Sequence, residues 1–263
     1  MRRSGTPGAP RRSGCRRCEH RDRRALSVRG RFAPAAATFF ALLTSPNHAR
    51  PADLGGQLAL SSQLVERGIA ITPPKPAVQG ALSLTLPSGW SFGLSAAAEV
   101  RSPGHVSEAV ARLSHSGMLS GDWQMQTNLL YYHYSGITRL NAVEAGVGWV
   151  YRDILSVGLS GIYALGTDER RLRPALDTGF RWPLTHGLSF SAGAGFTRYV
   201  ISRYREPGDA YHSAFYLYGN AGLQWSRGPW QAGLSRMFIS PGARRQLDYL
   251  AASPWLATLS RAF

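Results

Sequence analysis

The amino-acid sequence predicts an all-β chain closed into an antiparallel transmembrane β-barrel of about twelve strands. Three observations predict it. Period-2 alternation of apolar with small or polar residues recurs twelve times after residue 53, the connections alternate between short and long, and aromatic residues gather at the segment ends. No long unbroken apolar run occurs in the 263 residues, which sets aside a helical membrane span. A barrel needs none, because its apolar band is spread over alternate positions.

The first 52 residues read as a leader and residues 53–263 as the barrel. Residues 1–52 hold twelve arginines, among them Arg2, Arg3, Arg11 and Arg12, against Glu19 and Asp22, so they carry +10 of the formal +15 and leave +5 for the rest. The basicity is therefore mostly leader, and a nucleic-acid partner is not expected. An apolar h-region at about 32–45 is followed by Pro46 and by small residues near Ala49 and Ala52, the layout of a secretory signal. The basic stretch ahead of it is too long for an n-region, so translation is expected to start near Leu26 or Val28. Cys15 and Cys18, with His20, lack two further ligands at zinc spacing and a His directly after the second Cys, so neither metal nor haem is expected there.

The strands follow in order. Leu58, Leu60 and Leu64 alternate with Gln57, Ser61 and Gln63; Val78, Leu82, Leu84 and Leu86 with Gln79, Ser83 and Thr85; Trp90, Phe92, Leu94 and Val100 with Ser91, Ser95 and Glu99. The signal weakens through 108–118 and returns in Trp123, Met125, Leu129 and Tyr131 against Gln124, Gln126 and Asn128. Segments 142–151 and 154–163 oppose Val143, Val147, Trp149, Leu155 and Leu159 to Glu144, Gly146, Ser156 and Ser160. Leu176, Phe180 and Trp182 face away from Asp177 and Arg181, and Leu188, Phe190 and Phe196 from Ser189, Ser191 and Thr197. The last three segments carry Phe215 to Trp225, Trp230 to Phe238, and Trp255 to Phe263.

Tight turns follow the even-numbered segments, at Pro87-Ser88-Gly89, Ser120-Gly121-Asp122, Arg152-Asp153, Thr185-His186-Gly187 and Arg227-Gly228-Pro229. Longer, more polar loops follow the odd-numbered ones, at 68–76, 101–107, 135–141, 164–173, 200–212 and 239–251. Short turns on one side and long loops on the other are the plan of a bacterial outer-membrane barrel. A soluble β-sandwich also alternates, but its outward face normally carries scattered charges, whereas the polar face here is Gln, Ser, Asn, Thr and Gly. Phe263, in phase with Trp255, Ala257 and Leu259, looks like the terminal aromatic by which such barrels reach their assembly machinery. Arg261 departs from that pattern.

Ser62-Gln63-Leu64-Val65-Glu66-Arg67-Gly68-Ile69, then Pro76-Ala77-Val78-Gln79-Gly80 and Ser88-Gly89-Trp90, resemble the opening motifs of the TorF-like porins of proteobacteria. Asn128 to Gly136 and Glu144 look like that family's tyrosine-rich strand and the acidic strand after it, so the likeness runs in order through most of 57–238. Ala70-Ile71 and Leu64 depart from it. The resemblance implies an outer-membrane barrel for small solutes.

Candidate site residues follow from parity. Arg67 and Gln79 flank the first long loop and could line a mouth; Arg67 could equally cap strand ends or meet lipopolysaccharide phosphates. Glu99, Arg112, Glu144, Asp177 and Arg181 should point inward, where three acids and two bases nearly cancel and should pair. The arginines Arg170, Arg171, Arg173, Arg203, Arg205, Arg244 and Arg245 fall in the long loops and suit lipopolysaccharide or anionic solutes. His133 and Ser135 have the spacing of a lipid-acting enzyme, without an evident orienting group or oxyanion site. The expectation is therefore a narrow pore for small solutes, with a plugged structural or adhesion barrel as the alternative and a lipid-acting enzyme third. No cofactor, metal or catalytic residue is expected.

Overall fold

The computed structural model describes residues 52–136, 138–165, 171–201, 212–247 and 250–263. The leader, Arg170, Arg203 and Arg205 lie outside them.

Twelve strands close into one antiparallel barrel: β1 (Asp53–Ser61), β4 (Ala77–Thr85), β5 (Trp90–Glu99), β6 (Val106–Met118), β7 (Trp123–Tyr134), β8 (Ala142–Tyr151), β9 (Leu155–Ala164), β10 (Leu172–Thr185), β11 (Leu188–Ile201), β12 (His212–Arg227), β13 (Trp230–Ile239) and β14 (Trp255–Ala262). Two further strands, β2 (Val65–Glu66) and β3 (Ile69–Ala70), form a separate small hairpin in the first long loop, and a short helix α1 (Pro241–Leu247) occupies the last. Each strand pairs with its chain neighbours, and β1 pairs with β14 to remove the sheet edges.

At the seam, Gly56 and Phe263 exchange both backbone hydrogen bonds, at 2.9 and 3.0 Å. The Phe263 ring lies over Gly56, where any side chain would fall inside the ring. Gly56 therefore gives the terminal aromatic its seat on the outer face.

Outward positions carry the apolar set read from the sequence, including Leu58, Leu82, Phe92, Leu94, Leu129, Leu159, Phe180, Leu217, Leu234 and Leu259, all exposed. An apolar belt running round every strand has no stable partner but lipid hydrocarbon. Of the seven tryptophans, Trp90, Trp123, Trp149, Trp182, Trp225 and Trp230 lie towards the short-turn ends and only Trp255 stands at a loop end. Arg261 sits in the turn-side girdle with its guanidinium 5.5 Å from the Trp230 ring, so an arginine among apolar terminal residues is accommodated by cation–π contact at the interface.

The wall is uneven. β12 has 16 residues and β11 has 14, against 8 in β14 and 9 in β1 and β4. At ~3.3 Å per residue the tall wall exceeds the short one by about 26 Å of strand. Both loops that fold into the lumen spring from this low side.

Three sequence expectations need correction. The first strand ends at Ser61, so Leu64 does not continue its outer face but enters the inward loop. The 239–251 connection contains α1 rather than open loop, because Ala243 and Leu247 provide an apolar face that the lumen can bury. The inward face is not uniformly small and polar: Val110, Leu130, Tyr132, Ile162, Met237 and Leu256 point inward and are buried in its loop-side half.

Candidate functional site: a clamped hairpin across the lumen

The centre of the site is the turn of the β2–β3 hairpin. Val65 pairs with Ala70 and Glu66 with Ile69, which leaves Arg67-Gly68 as a two-residue turn. Both residues have positive φ, 46° at Arg67 and 80° at Gly68, as the favoured hairpin turn requires. At Gly68 a Cβ would also come within 2.9 Å of Ile239, so glycine is needed for backbone and for space.

The turn projects Arg67 into the barrel. Its guanidinium donates to Glu144 through two parallel bonds, Nη1 to Oε2 at 3.0 Å and Nη2 to Oε1 at 2.6 Å, and Nη2 also reaches Asp177 Oδ2 at 3.2 Å. Glu144 on β8 is 0% exposed. A buried carboxylate is tolerable only when paired, and a fork-to-fork guanidinium is the strongest common partner.

Tyrosines hold the hairpin from two walls. On β7, Tyr134 donates its hydroxyl to Glu66, and its ring stacks on Tyr132 at 6.1 Å. On β12, Tyr216 donates to the Arg67 carbonyl at 3.1 Å, and Tyr218 donates to Asp177. Tyr218 reaches from β12 to β10 because the intervening position on β11 is Gly195, over which its ring lies. The last loop completes the packing: Ala243 and Leu247 of α1 bury against Ile69, Tyr216 and Tyr218. Gln63 ties the two loops together, donating to the Thr72 carbonyl at 3.0 Å and accepting from the Ser253 amide at 2.9 Å.

The structure brings Arg67, Glu144 and Asp177 together. Arg112 points inward from β6, level with Gly93 and Leu130, and interacts electrostatically with Glu144 and Tyr132. Gln79 faces inward from β4, half-buried between Ala59 and Ala97. Arg181 lies in the turn-side half, its Nε donating to Ser189 at 3.2 Å. Glu99 stands apart at the loop-side rim, 3.8 Å from Lys75.

Arg173 corrects the loop assignment. It belongs to β10, on the inward parity of Ala175 and Asp177, and is 5% exposed. Arg171, Arg244 and Arg245 are exposed at the loop side. The Ser135 hydroxyl donates to the Val106 carbonyl, and the His133 imidazole lies 3.4 Å from the Asn141 side-chain nitrogen.

Sequence reasoning missed Glu66, Glu108, Tyr132, Tyr134, Tyr216 and Tyr218. Glu66 was within reach, as the residue before an Arg-Gly turn. Inward tyrosines leave no alternation signal, since they are as apolar as their outward neighbours. Among the described residues no group of three or more His, Cys, Asp or Glu is placed to hold a metal ion.

No family model matches the chain, and no curated protein does. Solved structures do. A KdgM porin superposes with a TM-score of 0.50 at 8% identity, covering 80% of this chain and 98% of that one. A NanC porin gives 0.47 at 10% identity over 80% and 98%, and the outer-membrane protein OprD from Pseudomonas aeruginosa gives 0.37 at 9% over 72% and 59%. At such identities the likeness is one of fold, and with the apolar belt, the closed seam and the short-turn, long-loop plan it makes this chain a twelve-stranded outer-membrane β-barrel.

Proposed function

We propose that this chain is a narrow porin, of the TorF-like kind, through which small solutes diffuse passively across the outer membrane. The observation that carries the reading is the lining of the turn-side half. There Ser83, Gln124, Ser156, Ser191 and Gln224 face inward and are half-buried, and Gln126, Ser189 and Gln231 face inward and are buried, so the lining of that half is mostly polar. Side chains in a sealed barrel core would be buried and mostly apolar.

The β2–β3 hairpin supplies the narrowing. Its clamp pairs opposite charges, Arg67 with Glu144 and Asp177, and charges held in pairs suit a weakly selective pore better than a strongly charged filter. Arg171, Arg244 and Arg245 would bind lipopolysaccharide phosphates at the loop-side surface, and the Phe263 strand would be what the assembly machinery grips. No catalytic step, cofactor or metal enters this reading.

A second reading, a plugged structural barrel, has its own support in the filled loop-side half, where Tyr216, Leu130 and Glu144 are fully buried. Planar-bilayer recording of the refolded chain separates the two. Discrete ohmic steps are the expected result for a pore, and electrical silence that persists at high voltage would favour the plug.

A further inference from the structure

The charges of the barrel wall are sorted by face. Asp53, Glu99, Glu108, Glu144 and Asp177, the carboxylates of the twelve strands, all stand on the inward parity. The charged residues on the outward parity are arginines: Arg198, Arg227, Arg236 and Arg261. Wherever the lipid-facing wall is charged, it is cationic.

Two of these arginines form mirrored pairs on one ladder. On β13 and β14, Trp230 lies directly across from Arg261, and six residues further up β13 Arg236 lies directly across from Trp255. The guanidinium of Arg261 is 5.5 Å from the Trp230 ring and that of Arg236 is 5.9 Å from the Trp255 ring. Arg236 is also 5.8 Å from the ring of Phe238, and all three side chains are exposed. Between the two pairs the outward residues are Ala232, Leu234, Ala257 and Leu259. An arginine with a tryptophan at each rim, and only apolar residues between, marks where this wall meets the two bilayer interfaces.

The marked band is thin. Six residues span ~20 Å of strand, or about 15 Å along the membrane normal at a strand tilt of ~40°. On the tall wall, Arg198 lies across from Phe215, which stands ten residues above Trp225 on β12. The same conversion gives about 25 Å there, the usual apolar height of an outer-membrane barrel. Trp225 and Trp230 belong to one turn-side girdle on neighbouring strands, so the difference falls at the loop side. Arg236 therefore lies ~10 Å deeper in the loop-side leaflet than the rim of the tall wall.

We propose that Arg236, framed by Phe238 and Trp255, binds a phosphate of lipid A and draws the lipopolysaccharide leaflet down onto the low wall. The proposal goes beyond the porin reading and rests on the outer-membrane barrel alone. Charge complementarity selects the occupant. An arginine on the lipid face is costly at depth and is relieved by a counter-anion, and among the described residues no carboxylate lies within ion-pair distance of Arg236. Its planar fork matches two phosphate oxygens, and the flanking rings hold it against the wall. Next to it in the outward row stand Ala221 and then Ala192, small residues above Leu223 and Phe190, which leave room on the wall for an acyl chain. Arg244 and Arg245 on α1, which begins two residues after β13 ends, are exposed above the site for the rest of the headgroup.

The test is native mass spectrometry of the refolded full-length chain in detergent, titrated with bisphosphorylated lipid A, dephosphorylated lipid A or phosphatidylglycerol. The wild type is expected to retain bisphosphorylated lipid A in preference to the other two. Arg236→Gln should weaken that retention about tenfold, the size of a lost hydrogen-bonded charge pair. Arg236→Lys, which keeps the charge, should retain most of it, and Arg261→Gln at the opposite rim should match the wild type. If Arg236→Gln fails to close, as a lost heat-modifiable gel shift would show, the dephosphorylated lipid A still decides on the wild type. Equal retention with and without phosphates, or equal retention by Arg236→Gln and the wild type, would overturn the site. Phosphatidylglycerol held as strongly as lipid A would overturn the assignment to lipopolysaccharide. None of these outcomes involves current, so failure here leaves the pore reading standing, and a silent barrel leaves this site standing.

Discussion

The turn-side and loop-side halves of the lumen are made by the same twelve strands, yet they solve opposite problems. In the turn-side half, Ser83, Gln124, Ser156, Ser191 and Gln224 alternate with outward Leu84, Trp123, Leu155, Phe190 and Trp225, and the inner face is mostly polar, half-buried at these positions and buried at Gln126, Ser189 and Gln231. In the loop-side half, Leu130, Tyr132 and Tyr134 point inward beside outward Leu129, Tyr131 and His133, and the inner face is buried under two loops. The first half holds its shape by ladder hydrogen bonds and a tryptophan girdle. The second adds a side-chain core and a charge clamp inside the cylinder. The difference teaches that the loops of a barrel can be part of its interior, and that their anchoring residues must then be drawn from the strands.

The largest expected effect comes from cutting the clamp. Arg67→Ala leaves Glu144 buried without its partner, a change of about 3–5 kcal/mol for a broken buried pair. The hairpin should leave its seat, single-channel conductance should rise several-fold, and the heat-modifiable gel shift of the closed barrel should persist. An unchanged conductance would mean that the hairpin is not the narrowing.

Next is Gly195→Val, which puts a side chain where the Tyr218 ring lies and removes the reach to Asp177. Overpacking of this kind costs about 1–3 kcal/mol. The expected outcome is a lower thermal midpoint for the gel shift and a smaller conductance rise than for Arg67→Ala.

The alternating outward face, the twelve strands, the tight turns and the inward parity of Glu144, Asp177 and Arg181 were legible because lipid and lumen impose opposite demands on adjacent residues. The loop-side half was less legible for the same reason in reverse. Where β6 and β7 bury Val110, Leu130, Tyr132 and Tyr134 against loops, both faces are apolar and the period-2 signal fades, as it does through 108–118. Arg173 read as a loop residue because its neighbours are basic, although its parity with Asp177 puts it on the inner wall. The clamp joins residues 67, 144 and 177, whose meeting depends on a loop folding inward, and no local pattern encodes that.

On the outer surface, Gly56→Val should unseat the Phe263 ring at the β1–β14 seam at a cost of about 1–3 kcal/mol. Lower yields of closed barrel are expected, with the conductance of the molecules that do close unchanged. This separates wall integrity from the lumen.

The smallest effect lies at the exposed turns. Arg152 donates to Asp122 at 2.8 and 3.1 Å, and these bonds hold the Asp122 carboxyl below its usual range. A carboxyl depressed in the folded state adds stability above its unfolded pKa and loses it as pH falls through the folded one. Asp122→Asn should therefore remove a slight acid-dependent loss of stability and leave conductance alone, as thermal gel shifts at neutral and acid pH would register.

The contrast between the halves is tested most directly by a single cysteine in the open one. Ser191 faces the turn-side lumen of β11, and the unsubstituted chain, whose cysteines are Cys15 and Cys18, serves as control. With Ser191→Cys channels in a bilayer, a bulky thiol reagent should block current when added on the turn side and not on the loop side, whereas a small one should block from both. Block by the bulky reagent from the loop side would contradict the clamped hairpin.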